Sequence, residues 1–303
     1  MRFRFLVVVM VLSLLLTACD SHRVDRLDTN YRQGVGEMEL RFTDSSWTLY
    51  EEHDFTIPIV VENTAAYEIR NPILELNADG GLLDIHNPTH ELGQSLRGKE
   101  GRVVPGLGEF SPVPERADLF VEGFVKPIQT KQDRTPTKPS VILTYSSHFI
   151  FEPTVCVGST LIDIDDGGCR VEDSSNSYSG QGAPVAVTKM DTKVFAGYTG
   201  QMQFTMRVRN RGDGHIKSLS LLQSTVGSRE LDCFFPDGQT QEQNTVEFHA
   251  GKKDTTLICM LDVGDGASFS SPMFLKFDYG YKTVKNLKFT LLKSGVKDTS
   301  FFR

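Results

Sequence analysis

The densest run of potential metal ligands is Asp163-Ile164-Asp165-Asp166-Gly167-Gly168, three carboxylates ahead of two glycines. Hard oxygen donors so placed could hold Ca²⁺, but the ligand periodicity of an EF-hand loop is broken and no Glu stands at its twelfth position. A solvated acidic turn explains Asp163, Asp165 and Asp166 as well, and no resident metal or other cofactor is expected. His86 and His90 stand four apart, which on a helix would suit zinc, yet Pro88 between them removes the shared helical face. Ser294-Gly295-Val296-Lys297 has the Ser-x-x-Lys spacing of an acyl-transfer nucleophile, which needs a helix to align both side chains. Here it follows a strand pattern, and neither Ser-Asp-Asn nor Lys-Thr-Gly accompanies it. The chain also lacks Gly-x-Ser-x-Gly and a glycine-rich phosphate loop that opens a helix. No catalytic group is expected, and the chain reads as non-enzymatic.

Cysteine supplies the next chemistry. Arg2 and Arg4 precede an apolar run from Leu6 to Leu16, and Leu16-Thr17-Ala18-Cys19 ends it with small residues and a thiol. A run that short falls below the ~20 residues that span a bilayer core. Residues 1–18 resemble a bacterial lipoprotein signal peptide with its lipobox. That resemblance implies a lipidated Cys19 as first residue of the mature chain, held on the extracytoplasmic face of a membrane. Asp20 resembles the signal that keeps lipoproteins at the inner membrane of diderm bacteria. Cys156, Cys169, Cys233 and Cys259 remain, and an even count outside the cytosol favours disulfides. Of the three possible pairings the nearest-neighbour one is expected, each loop contributing roughly 3 kcal/mol in the chain-entropy model. A four-cysteine metal site would want a C-x-x-C spacing, which is absent.

A net charge of −7 excludes the basic face that phosphate backbones require, so no nucleic-acid partner is expected. The 20 Phe and 8 Tyr suffice to build real cores.

The elements that carry these residues read as strands almost throughout. Phe55, Ile57, Ile59 and Val61 alternate with more polar neighbours, as do Met202, Phe204, Met206 and Val208. Period two with one polar face marks a half-buried antiparallel strand. Pro58 cannot donate to a ladder, which predicts an edge or a bulge at that point. Met273, Leu275, Phe277, Tyr279 and Tyr281 make another alternating strand, and Leu287, Phe289 and Leu291 suggest a terminal hairpin with it. The alternation of His148, Phe149, Ile150 and Phe151 suggests that one pair faces outward, and Phe149 and Phe151 are the expected contact surface.

Two segments look like one unit used twice. Asn63 aligns with Asn210, Ile69 with Ile216, Leu74 with Leu221, and Leu143-Thr144-Tyr145-Ser146 with Phe277-Asp278-Tyr279-Gly280. An internal repeat of more than ~100 residues of short strands points to tandem β-sandwiches. The segments VVENTAAYEIRNPILEL and RVRNRGDGHIKSLSLL resemble CARDB-like and related immunoglobulin-type repeats of surface proteins. The resemblance implies an all-β chain of two tandem immunoglobulin-like antiparallel sandwiches used for adhesion, spacing or assembly. Composition places a tether at residues 19–36, lipidated as the signal-peptide resemblance implies, the first sandwich at 37–153, a cysteine-containing interdomain segment at 154–184 and the second sandwich at 185–303. The expected function is a membrane-tethered structural, adhesion or assembly protein with a protein partner in the envelope. The alternatives are a carbohydrate-binding envelope module, which would need a planar aromatic row, and an envelope hydrolase, which would need a pocket with two carboxylates.

Overall fold

In the computed structural model, residues 32–99, 115–158, 169–195, 200–238, 244–263 and 268–295 are described, and they lie in a single compact unit. The chain opens with β1 (Met38–Phe42), β2 (Trp47–Tyr50), β3 (Asp54–Asn63) and β4 (Ile69–Asn77). Three short strands follow: β5 (Leu83–Ile85), β6 (Thr89–Glu91) and β7 (Ser95–Leu96). The first half ends with β8 (Arg116–Val125), β9 (Arg134–Thr137) and β10 (Ser140–Phe151). Then come β11 (Thr154–Val157), β12 (Ser174–Ser177), β13 (Val185–Phe195), β14 (Gln201–Asn210) and β15 (His215–Val226). Three further short strands are β16 (Arg229–Glu230), β17 (Asp232–Phe234) and β18 (Thr245–Glu247). The last are β19 (Asp254–Asp262), β20 (Phe269–Asn286) and β21 (Phe289–Leu292). No α-helix occurs among the described residues.

The repeat read from the sequence has a matching repeat in strand register. Outer strands run β1-β3-β8 in the first half and β13-β14-β19 in the second. Ile69 lies opposite Ser147 and Leu74 opposite Leu143; in the second half Ile216 lies opposite Tyr281 and Leu221 opposite Phe277. The turn chemistry repeats as well. Asn63 Nδ2 donates to the Tyr67 carbonyl at 3.0 Å while its Oδ1 accepts from Ala65 N–H at 3.0 Å. Asn210 Nδ2 donates to the Gly214 carbonyl at 2.7 Å while its Oδ1 accepts from Gly212 N–H at 3.2 Å. Each asparagine thus satisfies a tight turn that its backbone could not satisfy alone.

The two halves are not strung out like beads. β10 pairs antiparallel with β20 over its whole length, so β4-β10-β20-β15 forms the spine of one nine-stranded sheet shared by both halves. Ser146 lies opposite Gly280, with Tyr145 opposite Tyr281 and Ser147 opposite Tyr279, so an approximate two-fold axis passes between Ser146 and Gly280. The physical reason is width. A two-stranded β4-β10 ribbon cannot cover its outer sheet, and joining the two ribbons edge to edge buries both otherwise naked edges. Stacking across the seam reinforces it: Phe149 and Phe277 lie 4.7 Å apart at 11°. A single buried cluster runs through both halves.

The described parts of the segment 154–184, expected to separate the halves, are built into this body. β11 pairs with the start of β20, β12 with β13, and Val155, Val157 and Val171 are buried. The expected terminal hairpin is also corrected. β21 leaves β20 and inserts between β2 (parallel) and β9 (antiparallel) of the first half. There Phe289 packs edge-on against Trp47 at 5.7 Å and Phe55 at 6.1 Å, which explains why it crosses rather than folds back. Pro58 fits its strand: β1 covers β3 only as far as Ile59, so the missing donor falls where that side has no described neighbour.

Candidate functional site

Both expected disulfides are formed. Cys156–Cys169 closes the segment after β11, and Cys233–Cys259 links directly opposed residues of β17 and β19. Cys259 is fully buried, so this bridge is part of the core rather than a reactive surface thiol pair.

Phe149 and Phe151 do not form a contact surface. Both are buried, at 0% and 2% exposure, with Phe149 against Phe277 and Phe151 edge-on to Tyr178 at 4.7 Å. The alternation was real but its faces are reversed: His148 and Ile150 take the more open side. Cys19, Asp20, Asp163, Asp165 and Asp166 lie outside the described residues. His86 and His90 are not brought together as ligands: His90 sits on β6 opposite Leu74, whereas His86 follows β5 and bonds through its backbone to Glu122. Among the described residues no group of three or more metal-ligating side chains converges. Ser294 N–H donates to Glu51 Oε1 at 2.8 Å, an anchoring contact for the end of β21, and Lys297 lies outside the described residues.

A partly buried polar cluster sits where the halves meet, and single-residue inspection of the sequence missed it. Tyr281 OH donates to Asn210 Oδ1 at 3.0 Å and accepts from Gly214 N–H at 2.9 Å. Burial pushes the Tyr281 hydroxyl well above the usual phenol range, aided by the nearby Glu37 carboxylate. Tyr145 and Tyr279 are raised by burial too. The Glu37 carboxyl is raised first by desolvation and then by the Asp213 carboxylate, with Lys285 opposing. Lys285 holds Asp213 at 3.5 Å. A Cβ on Gly212 would lie 2.5 Å from Tyr281 OH and 2.6 Å from Glu37 Oε2, so any larger residue must displace them. The repeated asparagine was the signal that could have led to this junction. Glu37 carried none, because its counterpart by the same spacing is Pro184. Tyr281, Asn210 and Gly214 bond one another across the junction, so the arrangement reads as structural.

The edges of the sheets differ between halves. In the second half β12 covers the far end of β13, from Ser177 opposite Lys189 to Ser174 opposite Thr192. In the first half no described strand lies along the outer side of β1. The neighbouring side chains carry charge, with Arg41 bridging Glu39 at 3.0 Å and Glu62 at 2.9 Å.

No protein-family model matches the chain, and no curated protein matches it. Among solved structures it is similar to the secreted serine protease VesC from Vibrio cholerae, with 10% identity and a TM-score of 0.24 over 79% of this chain and 49% of that one. The chain thus spans about half the length of that structure. A superposition this loose carries no argument about fold or activity.

Proposed function

We propose that this protein is a lipid-anchored, extracytoplasmic assembly or adhesion protein that binds a partner protein of the cell envelope. In this reading each half is an immunoglobulin-like sandwich, and the shared sheet welds the pair into one stiff projecting body. The observation that carries the reading is the outer edge of β1, along which no described strand lies, on a body braced by two disulfides. An exposed edge offers unpaired backbone groups to an incoming strand, which gains main-chain hydrogen bonds while alternate side chains give specificity. Glu39 and Arg41 would reject uncharged strands and admit one with complementary charges. The disulfides favour an oxidising compartment, in keeping with the lipobox-like residues before Cys19.

The test has two parts. Palmitate labelling of cells should mark the parent and fail to mark Cys19→Ala. A photo-crosslinker at position 41 in intact envelope should give one discrete heteromeric product that a crosslinker at exposed Phe195 does not. Equal or absent products at the two positions would refute the edge as the docking site.

A further inference from the structure

We propose that the second half carries a binding groove for a phosphoryl-bearing anion. The groove, of about 530 Å³, lies where the start of β15, the segment after β18 and the middle of β20 meet. That is within the ~300–1,000 Å³ of small-molecule sites. Lys217, Lys252 and Lys282 line it together with His215 and His249, and Glu247 is the only carboxylate among its lining residues. The backbone fixes the arrangement. His215 lies opposite Lys282, Ser218 opposite Glu247, and Phe248 N–H donates to the Lys217 carbonyl at 3.0 Å. A turn closed by Lys252 N–H to the His249 carbonyl, 3.1 Å, brings Lys252 round so that its ammonium stands 5.5 Å over the Phe248 ring.

Three observations point to an anion. First, Lys252 is tied to Asp237 at 3.2 Å, but Lys217 and Lys282 have no ion pair among the described residues. Cations crowded on adjacent strands repel one another and cost stability, so packing gives no reason for them. Second, the concavity is cationic on a chain of net charge −7, against the average field of the molecule. Third, the internal repeat serves as a control. By the register that matches Ile69 with Ile216 and Leu143 with Phe277, the first-half counterparts of His215, Lys217 and Lys282 are Glu68, Arg70 and His148. Of these Arg70 is consumed by an ion pair with Asp278. The first half thus keeps one cation at these positions and neutralises it, whereas the second half places two lysines there without an ion pair among the described residues.

The donor set also selects the anion. The lining holds no arginine, so the planar fork that grips a carboxylate at two points is missing. Lysine acts as a mobile point charge, suited to the tetrahedral oxygens of a phosphoryl group. Phe248 offers an apolar wall to whatever carries it. That carrier is either a soluble phosphate ester or a phospholipid headgroup.

The full-length protein, purified in non-ionic detergent, would be acetylated with acetic anhydride and each lysine's modification read by mass spectrometry. Inorganic phosphate or glycerol 3-phosphate at millimolar concentration should protect Lys217 and Lys282 at least about threefold, leaving Lys189 and Lys293 unchanged. In calorimetry, K217Q/K282Q should bind glycerol 3-phosphate at least about tenfold more weakly, about 1.4 kcal/mol. Stronger protection by phosphatidylglycerol than by phosphatidylcholine in the micelles, at lower concentration than glycerol 3-phosphate, assigns the headgroup as carrier; the reverse assigns a soluble ester. Uniform protection of all lysines, or none by any probe, would overturn the proposal, and the acetylation readout needs no variant to fold.

Discussion

The crossing of β21 makes the C-terminal strand a structural part of the first half, and one residue tests this. Phe289 is 3% exposed and sits between Trp47 and Phe55. Truncating a buried phenylalanine to alanine costs about 3–5 kcal/mol, made of lost transfer energy and the cavity left behind. For a body of this size each kcal/mol lowers the melting temperature by roughly 2–4 °C, so Phe289→Ala should lose about 10 °C. Trp47 is the only tryptophan, so its emission reports the β21 slot without interference. The variant should show a red-shifted Trp47 emission before global unfolding, because the edge-to-face partner at 5.7 Å is gone. Phe120→Ala is the control, since Phe120 is 64% exposed and should change stability by less than ~0.5 kcal/mol. In the parent, Trp47 emission and far-ultraviolet circular dichroism should melt together, although β21 and β2 lie at opposite ends of the chain. An unshifted emission with a melting temperature within about 2 °C of the parent would refute the crossing of β21.

The Cys233→Ser/Cys259→Ser pair should lose about 3 kcal/mol in urea titrations, and reduction of the parent, which also opens Cys156–Cys169, should lower the midpoint further. Glu37 tests the junction through pH. Its folded proton affinity is raised above the ordinary 4.5, so its contribution to stability is full at acid pH and is lost as pH rises from that value through the raised one. Glu37→Gln should therefore melt higher than the parent at neutral pH, match it below about pH 4, and flatten the profile between. A parent whose stability advantage over the variant grows with pH would contradict the sign. Gly212→Ala should destabilise by about 1–3 kcal/mol in thermal melts, because its methyl group has no room between Tyr281 OH and Glu37; an unchanged melt would show the turn to be looser than described.

Strand existence was legible wherever one face is buried. β14 alternates from Gln201 to Val208 as Met202, Phe204, Met206 and Val208 point inward, and the same holds for Met273 to Tyr281 in β20. The asparagine repeat was legible too, because a side chain that closes a turn is specified locally. Pairing partners were not. Alternation says which residues face the core, and nothing in Ser140–Phe151 says that its neighbour lies more than a hundred residues away on β20. For the same reason Leu287, Phe289 and Leu291 suggested a hairpin: the pattern was right, while the partner was chosen by the pocket around Trp47. Phe149 and Phe151 failed differently. Their parity was correct, but His148 and Ile150 are mixed enough that the buried face could not be chosen from sequence. The candidate groove is less visible still, since His215 and Lys282 meet only through the register of β15 with β20.

Duplication usually makes two bodies, and here it makes one for a physical reason. The outer sheets hold four and five strands, but each half has only two long strands to face its own, β4 with β10 and β15 with β20. Left alone, each ribbon would expose a long aromatic edge, Tyr145 and Phe149 in one half and Phe277, Tyr279 and Tyr281 in the other. Pairing β10 with β20 removes both edges at once, and β21 then fills the first half's remaining gap between β2 and β9. Neither half is complete without the other, so the two-fold seam is fixed by packing. Elsewhere the repeats diverge: Glu68 stands against His215, and the outer sheet gains β12 in the second half only. Differences at positions the fold treats alike are where selection for something other than folding can act, which is why the lysine groove and the edge of β1, where no described strand pairs, are the places to test first.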